Sequence, residues 1–212
     1  MRFYDYFRSS AAYRVRIVMG LKGVEAEHVH VNLFKGEQQE AAFRAVSPVG
    51  LVPVLEHDGH RIHQSLAIID YLDALHPDPP MVPSDAAGRA RVLGLALAMS
   101  ADIHPLSNLR VLNHVEHDLG AGQDGRAAWI AHWTHLGLAG LEAQLSGDAE
   151  TGTFCHGEAP GIADACLVPQ LFFARRFDLD LAAYPTLVRI DRTCNELPAF
   201  AAAHPMQQPD AV

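Results

Sequence analysis

An arginine and two serines, Arg8-Ser9-Ser10, lie where a predicted strand meets a predicted helix. Residues 2–6 have the alternating side-chain pattern typical of a strand, and residues 11–22 carry apolar residues at helical spacing. Either serine fits the N-cap position, where a side-chain oxygen accepts a hydrogen bond from a backbone N–H. Hydroxyl groups and a cation at the positive end of a helix stabilise an anion. Because a thiolate is one such anion, the motif indicates thiol chemistry at a site that has no cysteine of its own.

Composition limits the classes of function. The formal net charge is −9 and 49% of the residues are hydrophobic, which disfavours a basic nucleic-acid-binding surface and provides ample material for a core. The cysteines Cys155, Cys166 and Cys194 form no CxxC pair, as suits a reducing compartment. The sequence shows no signal-peptide pattern and no apolar run of membrane-spanning length. We therefore expect a cytoplasmic protein that binds neither nucleic acid nor membrane.

The pattern of elements changes at residues 76–83, which contain four prolines and cannot continue a helix. Before this segment, strands and helices alternate and then two strands are joined by a tight turn, which predicts a mixed sheet of four strands covered by helices. After it, only helical patterns occur. These predicted helices span about 86–117 with an interruption near His104-Pro105, then 129–145, 162–177 with Pro169 inside, and 185–196. We expect domains at 1–80 and 84–212.

A set of short motifs follows in order along nearly the whole chain. They are Tyr6-Phe7-Arg8-Ser9-Ser10, Tyr13-Arg14-Val15-Arg16, Gln38-Gln39, Val52-Pro53, His63-Gln64-Ser65-Leu66, Pro105-Leu106, Asn108-Leu109, Ala163-Asp164, Leu167-Val168-Pro169-Gln170, Arg176-Phe177 and His204-Pro205. Together they resemble the glutathione transferase family, and within it the zeta class of maleylacetoacetate and maleylpyruvate isomerases. The resemblance implies an α/β thioredoxin-like N-terminal domain, an all-α C-terminal domain, a glutathione cofactor and a homodimer. It also implies cis–trans isomerisation of a maleyl keto acid in the degradation of aromatic compounds.

The chain departs from the pattern of that family in two places. The family signature is usually SSCSWRVR, whereas Ala11, Ala12 and Tyr13 stand here at the positions of Cys, Ser and Trp. The change removes a second candidate thiol and leaves the serine hydroxyls. Gly161 occupies a position where the family usually has a Ser or Thr cap, so only the Asp164 half of a capping box is expected.

The resemblance assigns glutathione contacts to residues of the first domain. Val52 precedes a proline that is cis in such folds, which turns its backbone N–H and C=O toward the cysteinyl amide of glutathione. Gln64 and Ser65, at a helix N-terminus, suit the γ-glutamyl carboxylate, and Gln38 is expected to reach the glycyl end. Ser9 is our first choice for the hydrogen bond to the thiol, and Ser10 is the second.

The same reasoning predicts which arginines bind the substrate. Arg8, beside the thiol site, is expected to stabilise the enolate that forms when a thiolate adds to the cis double bond. Arg110 and Arg176 are expected to bind the substrate carboxylates, and Arg175, its neighbour on the helix, should point elsewhere. His104 and Asn108 are four residues apart and predicted to share a helix face near glutathione.

Several alternatives remain open in the sequence. His104 can contact glutathione, relay a proton or simply end a helix. The chain can be a general glutathione transferase that conjugates electrophiles, or a binding protein without activity. Maleylpyruvate is favoured over maleylacetoacetate as substrate because of the run His104 to Arg110. The remaining histidines lack an obvious third ligand or carboxylate, so no metal site is predicted.

Overall fold

The structure, a computed structural model, describes residues 1–211 and divides the chain into two units. The first unit contains Met1–Met81 and the residues from Asn195 onward, and the second contains Val82–Cys194. The boundary lies inside the proline-rich segment 76–83. None of the helices within residues 1–211 is both long and apolar enough to cross a membrane.

The first unit contains a four-stranded mixed sheet. Its strands are β1 (Arg2–Asp5), β2 (Glu27–His30), β3 (Val54–His57) and β4 (His60–His63), in the spatial order β2-β1-β3-β4. β1 runs parallel to β2 and antiparallel to β3, and β4 runs antiparallel to β3. Asp58 and Gly59, with φ of 48° and 78°, form the turn between β3 and β4, as the tight turn in the sequence predicts.

The helices account for most of the rest of the described chain. They are α1 (Ser10–Lys22), α2 (Ala41–Arg44), α3 (Ser65–Leu75), α4 (Ala86–Leu97), α5 (Leu109–Asn113), α6 (Gly122–Ser146), α7 (Ile162–Arg176), α8 (Pro185–Asn195) and α9 (Pro198–Ala203). The first unit thus has a small sheet with helices, and the second is all helical. This confirms the predicted combination of an α/β thioredoxin-like unit and an all-α unit.

The two faces of β1 have different surroundings because successive side chains of a strand point to opposite faces. Tyr4 packs in an apolar cluster with Val31, Phe43 and Val54. Asp5, on the opposite face, is fully buried and ion-paired to Arg16 of α1, whose Nη1 lies 3.3 Å from Asp5 Oδ2. A strand that carries a buried carboxylate next to apolar residues therefore anchors α1 to the sheet.

The C-terminal segment differs from the expected domain assignment. We expected the second domain to extend to residue 212, whereas the residues from Asn195 onward belong with the first unit. The reason is the packing of α9, which the sequence did not predict, against α1. A Cβ atom at Gly20 of α1 would lie 3.2 Å from Cβ of Ala199, so the two helices approach closely where both side chains are small.

The first predicted helix of the second unit is interrupted, as the pair His104-Pro105 predicted. After α4 come a π-helical turn (Ala98–Ile103) and a 3-10 turn (His104–Ser107), and Asn108 then adopts an extended conformation before α5. Another π-helical turn (His114–Asp118) follows α5. The prediction that His104 and Asn108 share one helix face is therefore wrong, because the backbone leaves the helical conformation at Asn108.

The start of α7 agrees with the expected half of a capping box. Asp164 accepts hydrogen bonds from the backbone N–H groups of Gly161 and Cys155, each at 2.8 Å. Gly161 has no side chain to complete the reciprocal bond. Burial raises the pKa of the Asp164 carboxyl, although the hydrogen bonds it accepts oppose the shift. Asp164 therefore fixes the entry of α7 through buried hydrogen bonds.

Candidate active site

Ser9 is the N-cap of α1, which confirms one of the two predicted positions. Its backbone is extended, and its Oγ accepts a hydrogen bond from the Ala12 N–H at 3.2 Å. A hydroxyl that accepts through a lone pair still has its own proton to donate. Ser10 is the first residue of α1 and only 7% exposed. The half-buried Ser9 hydroxyl is the better placed of the two to reach a ligand.

Arg8 is half-buried directly before Ser9. Its guanidinium carbon lies 4.8 Å from the centre of the Phe7 ring, and Phe7 is itself 1% exposed. An arginine over an aromatic face is held by the attraction between the cation and the negative face of the ring. A cation and a hydroxyl therefore lie next to each other at the positive end of α1.

Val52 and Ser65 both lie beyond the same end of the β3–β4 ladder. Val54 pairs with His63 at the end of the β3–β4 ladder, so Val52 lies beyond that ladder, and Ser65 follows β4 after one residue, Gln64. Backbone groups beyond a ladder can pair with an extended ligand. The Val52–Pro53 peptide bond is cis, as predicted. This end of the sheet therefore offers a strand edge beside the N-terminus of α3.

A buried arginine supports the start of α3. Arg14, on α1 and 1% exposed, donates from Nη1 to the Ser65 hydroxyl at 3.2 Å. Ser65 is the first residue of α3, so a guanidinium and a helix N-terminus lie together there, and both favour a bound anion. Sequence reasoning assigned Arg14 no role. The available signal was a charged residue on a helix face that is otherwise buried, since buried charges are nearly always paired.

Gln64 has an unusual backbone. It precedes α3 with φ 71° and ψ 124°, and its side chain makes no capping hydrogen bond. Residues other than glycine seldom adopt positive φ, and where they do the surroundings must impose it. The exposed Gln64 is thus a position of backbone strain at the predicted carboxylate site.

Gln38 lies near the turn that leads to Val52. It belongs to a short 3-10 turn (Glu37–Gln39), and its Oε1 is buried without a hydrogen-bond partner among the described residues. Gly50 has φ 64°, and a Cβ atom there would lie 2.8 Å from the Gln38 carbonyl oxygen. Only glycine fits this close approach. A polar atom that lacks a partner among the described residues is a candidate for contact with a ligand once the side chain turns to expose it.

In the second unit, Asn108 caps α5. Its Oδ1 accepts a hydrogen bond from the Arg110 backbone N–H at 3.2 Å, and Arg110 is exposed. His104 begins the preceding 3-10 turn. Asn108 thus orders the backbone of Arg110, a role that the sequence analysis did not assign to it.

The two arginines at the end of α7 have different partners. Arg175 Nη2 lies 2.7 Å from Oδ2 of Asp191, which is buried. The guanidinium carbon of Arg176 lies 5.4 Å from the centre of the Phe177 ring. This difference agrees with the expectation that Arg175 points elsewhere.

The predicted residues are divided between the units. The first unit holds Arg8, Ser9, Ser10, Gln38, Val52, Gln64 and Ser65, and the second holds His104, Asn108, Arg110 and Arg176. In the first unit, the positive end of α1, the edge near Val52 and the positive end of α3 can hold an extended, acidic ligand with a thiol or other anionic group at α1.

Comparison with known proteins gives relatives that match over nearly the whole chain. Residues 3–80 match the family model of the glutathione S-transferase N-terminal domain. The chain is 45% identical to a probable maleylacetoacetate isomerase of Vibrio cholerae, and the match covers 98% of this chain and 97% of the relative.

Solved structures agree with this relationship. The holo structure of a maleylpyruvate isomerase, a bacterial zeta-class glutathione S-transferase, matches with a TM-score of 0.98 at 40% identity and covers 100% of both chains. A maleylacetoacetate isomerase from Methylobacterium extorquens AM1, with bound malonate and glutathione, matches with a TM-score of 0.97 at 39% identity, again over 100% of both chains.

The fold and the site of the first unit define the glutathione transferase class. Identity of 40% to 45% over nearly the full length of both chains identifies the group within that class to which the protein belongs. The chain belongs to the family of maleylacetoacetate and maleylpyruvate isomerases, the zeta-class glutathione transferases.

Proposed function

We propose that this protein is a glutathione-dependent isomerase that converts a maleyl keto acid to its fumaryl isomer. The observation that carries the proposal is the pair Arg8 and Ser9 at the N-terminus of α1, where the Ser9 hydroxyl caps the helix and the Arg8 guanidinium lies over Phe7. A donor and a cation at the positive end of a helix suit a reaction in which negative charge develops first on sulfur and then on oxygen.

The residues of the first unit fit glutathione. The Gln38 amide, whose Oε1 has no partner among the described residues, can turn its NH2 group toward the glycyl end of the ligand. The edge near Val52 can pair with the ligand backbone, and Ser65 with Arg14 behind it suits its γ-glutamyl carboxylate. Each part of an acidic peptide thus has a complementary group. When bound, glutathione supplies the thiol that adds to the double bond of the substrate and leaves it again.

Ser9 has two functions in this proposal. Its Oγ accepts the Ala12 N–H and so completes the first turn of α1, and its own proton is donated to the sulfur at the site. The hydroxyl and the helix dipole together favour a thiolate over a thiol. Ser10 is the alternative donor, although its burial leaves less room for a ligand.

Arg8 stabilises the oxygen of the substrate on which negative charge accumulates while the bond between its two alkene carbons is single and can rotate. The guanidinium cannot lose its proton in the physiological range, so it contributes charge and hydrogen bonds but no proton transfer. We assign the two carboxylates of the substrate to Arg110 and Arg176, both of which are exposed. His104 is proposed to contact glutathione or relay a proton.

The preferred substrate is maleylpyruvate, with maleylacetoacetate second. Arg110 supports this order, because Asn108 orders its backbone at the start of α5 and a guanidinium suits a carboxylate close to the keto group. The activity belongs to the degradation of aromatic compounds. Turnover with the two keto acids, measured side by side, tests the order: a higher kcat/KM for maleylacetoacetate would reverse it.

One assay tests the reaction itself. The protein is incubated with maleylpyruvate and glutathione well below the substrate concentration, and the ultraviolet absorbance of the product is followed. We expect turnover far beyond the glutathione supplied, because an isomerase returns it unchanged. Turnover that stops when glutathione is consumed would indicate conjugation instead, and no reaction with any electrophile would indicate a binding protein.

We also propose a homodimer in the cytoplasm. The cysteines Cys155, Cys166 and Cys194 are buried and form no disulfide, which suits a reducing compartment. The dimer is proposed from the family resemblance, and light scattering after size-exclusion chromatography tests it: a mass near 23.1 kDa, that of one chain, would overturn it.

A further inference from the structure

The Arg8–Ser9 loop rests on a buried network in the first unit. Arg16, 5% exposed, donates from Nη2 to the Phe7 carbonyl at 2.9 Å and from Nη1 to the Tyr6 carbonyl at 3.4 Å. The Tyr6 carbonyl also accepts from the Ser9 N–H at 2.9 Å. The carbonyl side of the loop is therefore bound to α1, and one shared acceptor connects Arg16 with Ser9.

The amide side of the same loop is bound by the C-terminal segment. The Phe7 N–H donates to Asp210 Oδ2 at 3.0 Å, although the two residues are 203 positions apart in sequence. The side chain of Asp210 is 16% exposed. A hydrogen bond to a carboxylate is stronger than one between neutral groups, and partial burial protects it from water. Phe7 is thus held on one side by Arg16 and on the other by Asp210.

The other groups around Asp210 explain why its carboxylate stays in this place. Its Oδ1 lies 3.4 Å from His30 Nδ1, and the same nitrogen lies 3.2 Å from Asp5 Oδ1. Arg16 is ion-paired to Asp5 and attracts Asp210 as well. Hydrogen bonds and ion pairs to Phe7, His30 and Arg16 thus hold the carboxylate of Asp210 and its neighbour Asp5.

We propose that Asp210 is a positioning residue for Arg8 and Ser9: by accepting the Phe7 N–H it holds the backbone from which both groups project. The proposal rests on the proposed isomerase function for its effect on turnover, but its structural part does not. Since Arg8 lies over the Phe7 ring and the Ser9 amide is bonded to the Tyr6 carbonyl, a displacement of Phe7 shifts both. Small displacements of catalytic groups reduce rates strongly.

The test compares Asp210→Ala and Asp210→Asn with the control Asp58→Asn. Asn keeps an acceptor oxygen for the Phe7 N–H and Ala does not. Asp58 is in the exposed β3–β4 turn, where its side chain is 81% exposed, and its positive φ is one that Asn tolerates. The control therefore removes the same charge without touching the loop.

The first readout is amide hydrogen exchange of the free protein, which needs neither glutathione nor activity. We expect the hydrogen-bonded amides of Phe7, Ser9 and Ala12 to exchange roughly tenfold faster in Asp210→Ala than in the native protein. Asp210→Asn should show a smaller change and Asp58→Asn none. Unchanged exchange in Asp210→Ala would overturn the proposal, whatever the activity assay gives.

The second readout compares the effect of each variant on kcat with its effect on the Kd for glutathione. Asp210→Ala should lower kcat for the keto acid about tenfold while the Kd for glutathione changes less than about threefold, because the contacts near Val52, Gln38 and Ser65 remain. Partial recovery of kcat in Asp210→Asn would support positioning through the hydrogen bond. Equal losses in Ala and Asn would overturn it, since they would point to the charge alone. If the native protein itself shows no isomerase activity while exchange changes as expected, the proposed function fails and the positioning role stands.

Discussion

Arg14 and Ser65 are joined by a hydrogen bond between two buried side chains, 51 residues apart in sequence. Arg14 Nη1 donates to Ser65 Oγ at 3.2 Å. The bond connects the middle of α1 to the first residue of α3. It also leaves the proton of the Ser65 hydroxyl available to a ligand, because the hydroxyl acts toward Arg14 as an acceptor. The hydrogen bond thereby links the two helices whose N-termini are the predicted anion sites, α1 and α3.

Ser65→Ala should weaken glutathione binding and leave chemistry nearly intact. We expect the Kd for glutathione to rise roughly tenfold, since hydrogen bonds to charged groups are worth about 1.5–3 kcal/mol. Turnover at saturating glutathione should change little. Isothermal titration calorimetry and steady-state kinetics measure the two quantities. Thr193→Ala, which removes a hydroxyl bonded to the Arg189 carbonyl in α8, is the control and should leave the Kd unchanged. A fall in kcat with constant Kd would contradict this assignment.

Arg8→Ala should lower turnover and leave glutathione binding nearly intact. We expect kcat to fall by about 100-fold, the scale seen when one preorganised group that stabilises developing charge is removed. The Kd for glutathione should change much less, since Arg8 is assigned to the substrate. Arg61→Ala, which removes an exposed arginine paired with Glu56, is the control. Equal losses in turnover and in glutathione affinity would reject the role of Arg8 at the substrate oxygen.

Substitutions at two glycines with positive φ allow the effect of backbone strain to be distinguished from damage to the glutathione site. Gly50→Ala and Gly59→Ala both place a Cβ where φ is unfavourable, at 64° and 78°, which costs about 1–2 kcal/mol of stability. Only at Gly50 would the Cβ also meet the Gln38 carbonyl, at 2.8 Å; nothing lies within 4 Å at Gly59.

We therefore expect Gly50→Ala to be the more destabilising in urea unfolding, and to raise the Kd for glutathione severalfold, whereas Gly59→Ala should leave the Kd unchanged. The extra effect reflects overpacking next to Gln38. Identical Kd values in the two variants would show that Gln38 does not contribute to binding.

The cysteines should be unreactive in the folded protein. Burial raises the pKa of the Cys155 thiol and of the Cys194 thiol, and Cys166 is fully buried. At about pH 8 we expect no thiol to react with a chromogenic disulfide reagent in the native protein, and all three to react in urea.

Activity should also survive treatment of the native protein with an alkylating agent that is removed before glutathione is added, because the reacting sulfur belongs to glutathione. Loss of activity in step with the modification of one cysteine would contradict this prediction.

The elements of the first unit could be predicted well from sequence, and those of the second unit less well. The β3–β4 turn and α1 have strong local signals: residues that tolerate positive φ, a hydroxyl cap and helical spacing. The break at Asn108 has a weaker signal, because a pattern of apolar residues continues through it and Pro105 alone does not say where the helix stops. α9 was missed because its six residues are too short for a periodic pattern.

The order of residues along the chain is enough to identify the groups that can act: the pair Arg8 and Ser9 before a helix, Val52 before a proline, and Ser65 at a helix start. Each depends on neighbours along the chain, so local chemistry suffices. How these groups are held in place depends on contacts between residues that are far apart in sequence. Arg14 meets Ser65, Arg16 meets Asp5, and Asp210 meets Phe7 across 203 positions. A buried charge must find a partner, but nothing in a single sequence says which one, because the choice is made by the packing of the whole unit.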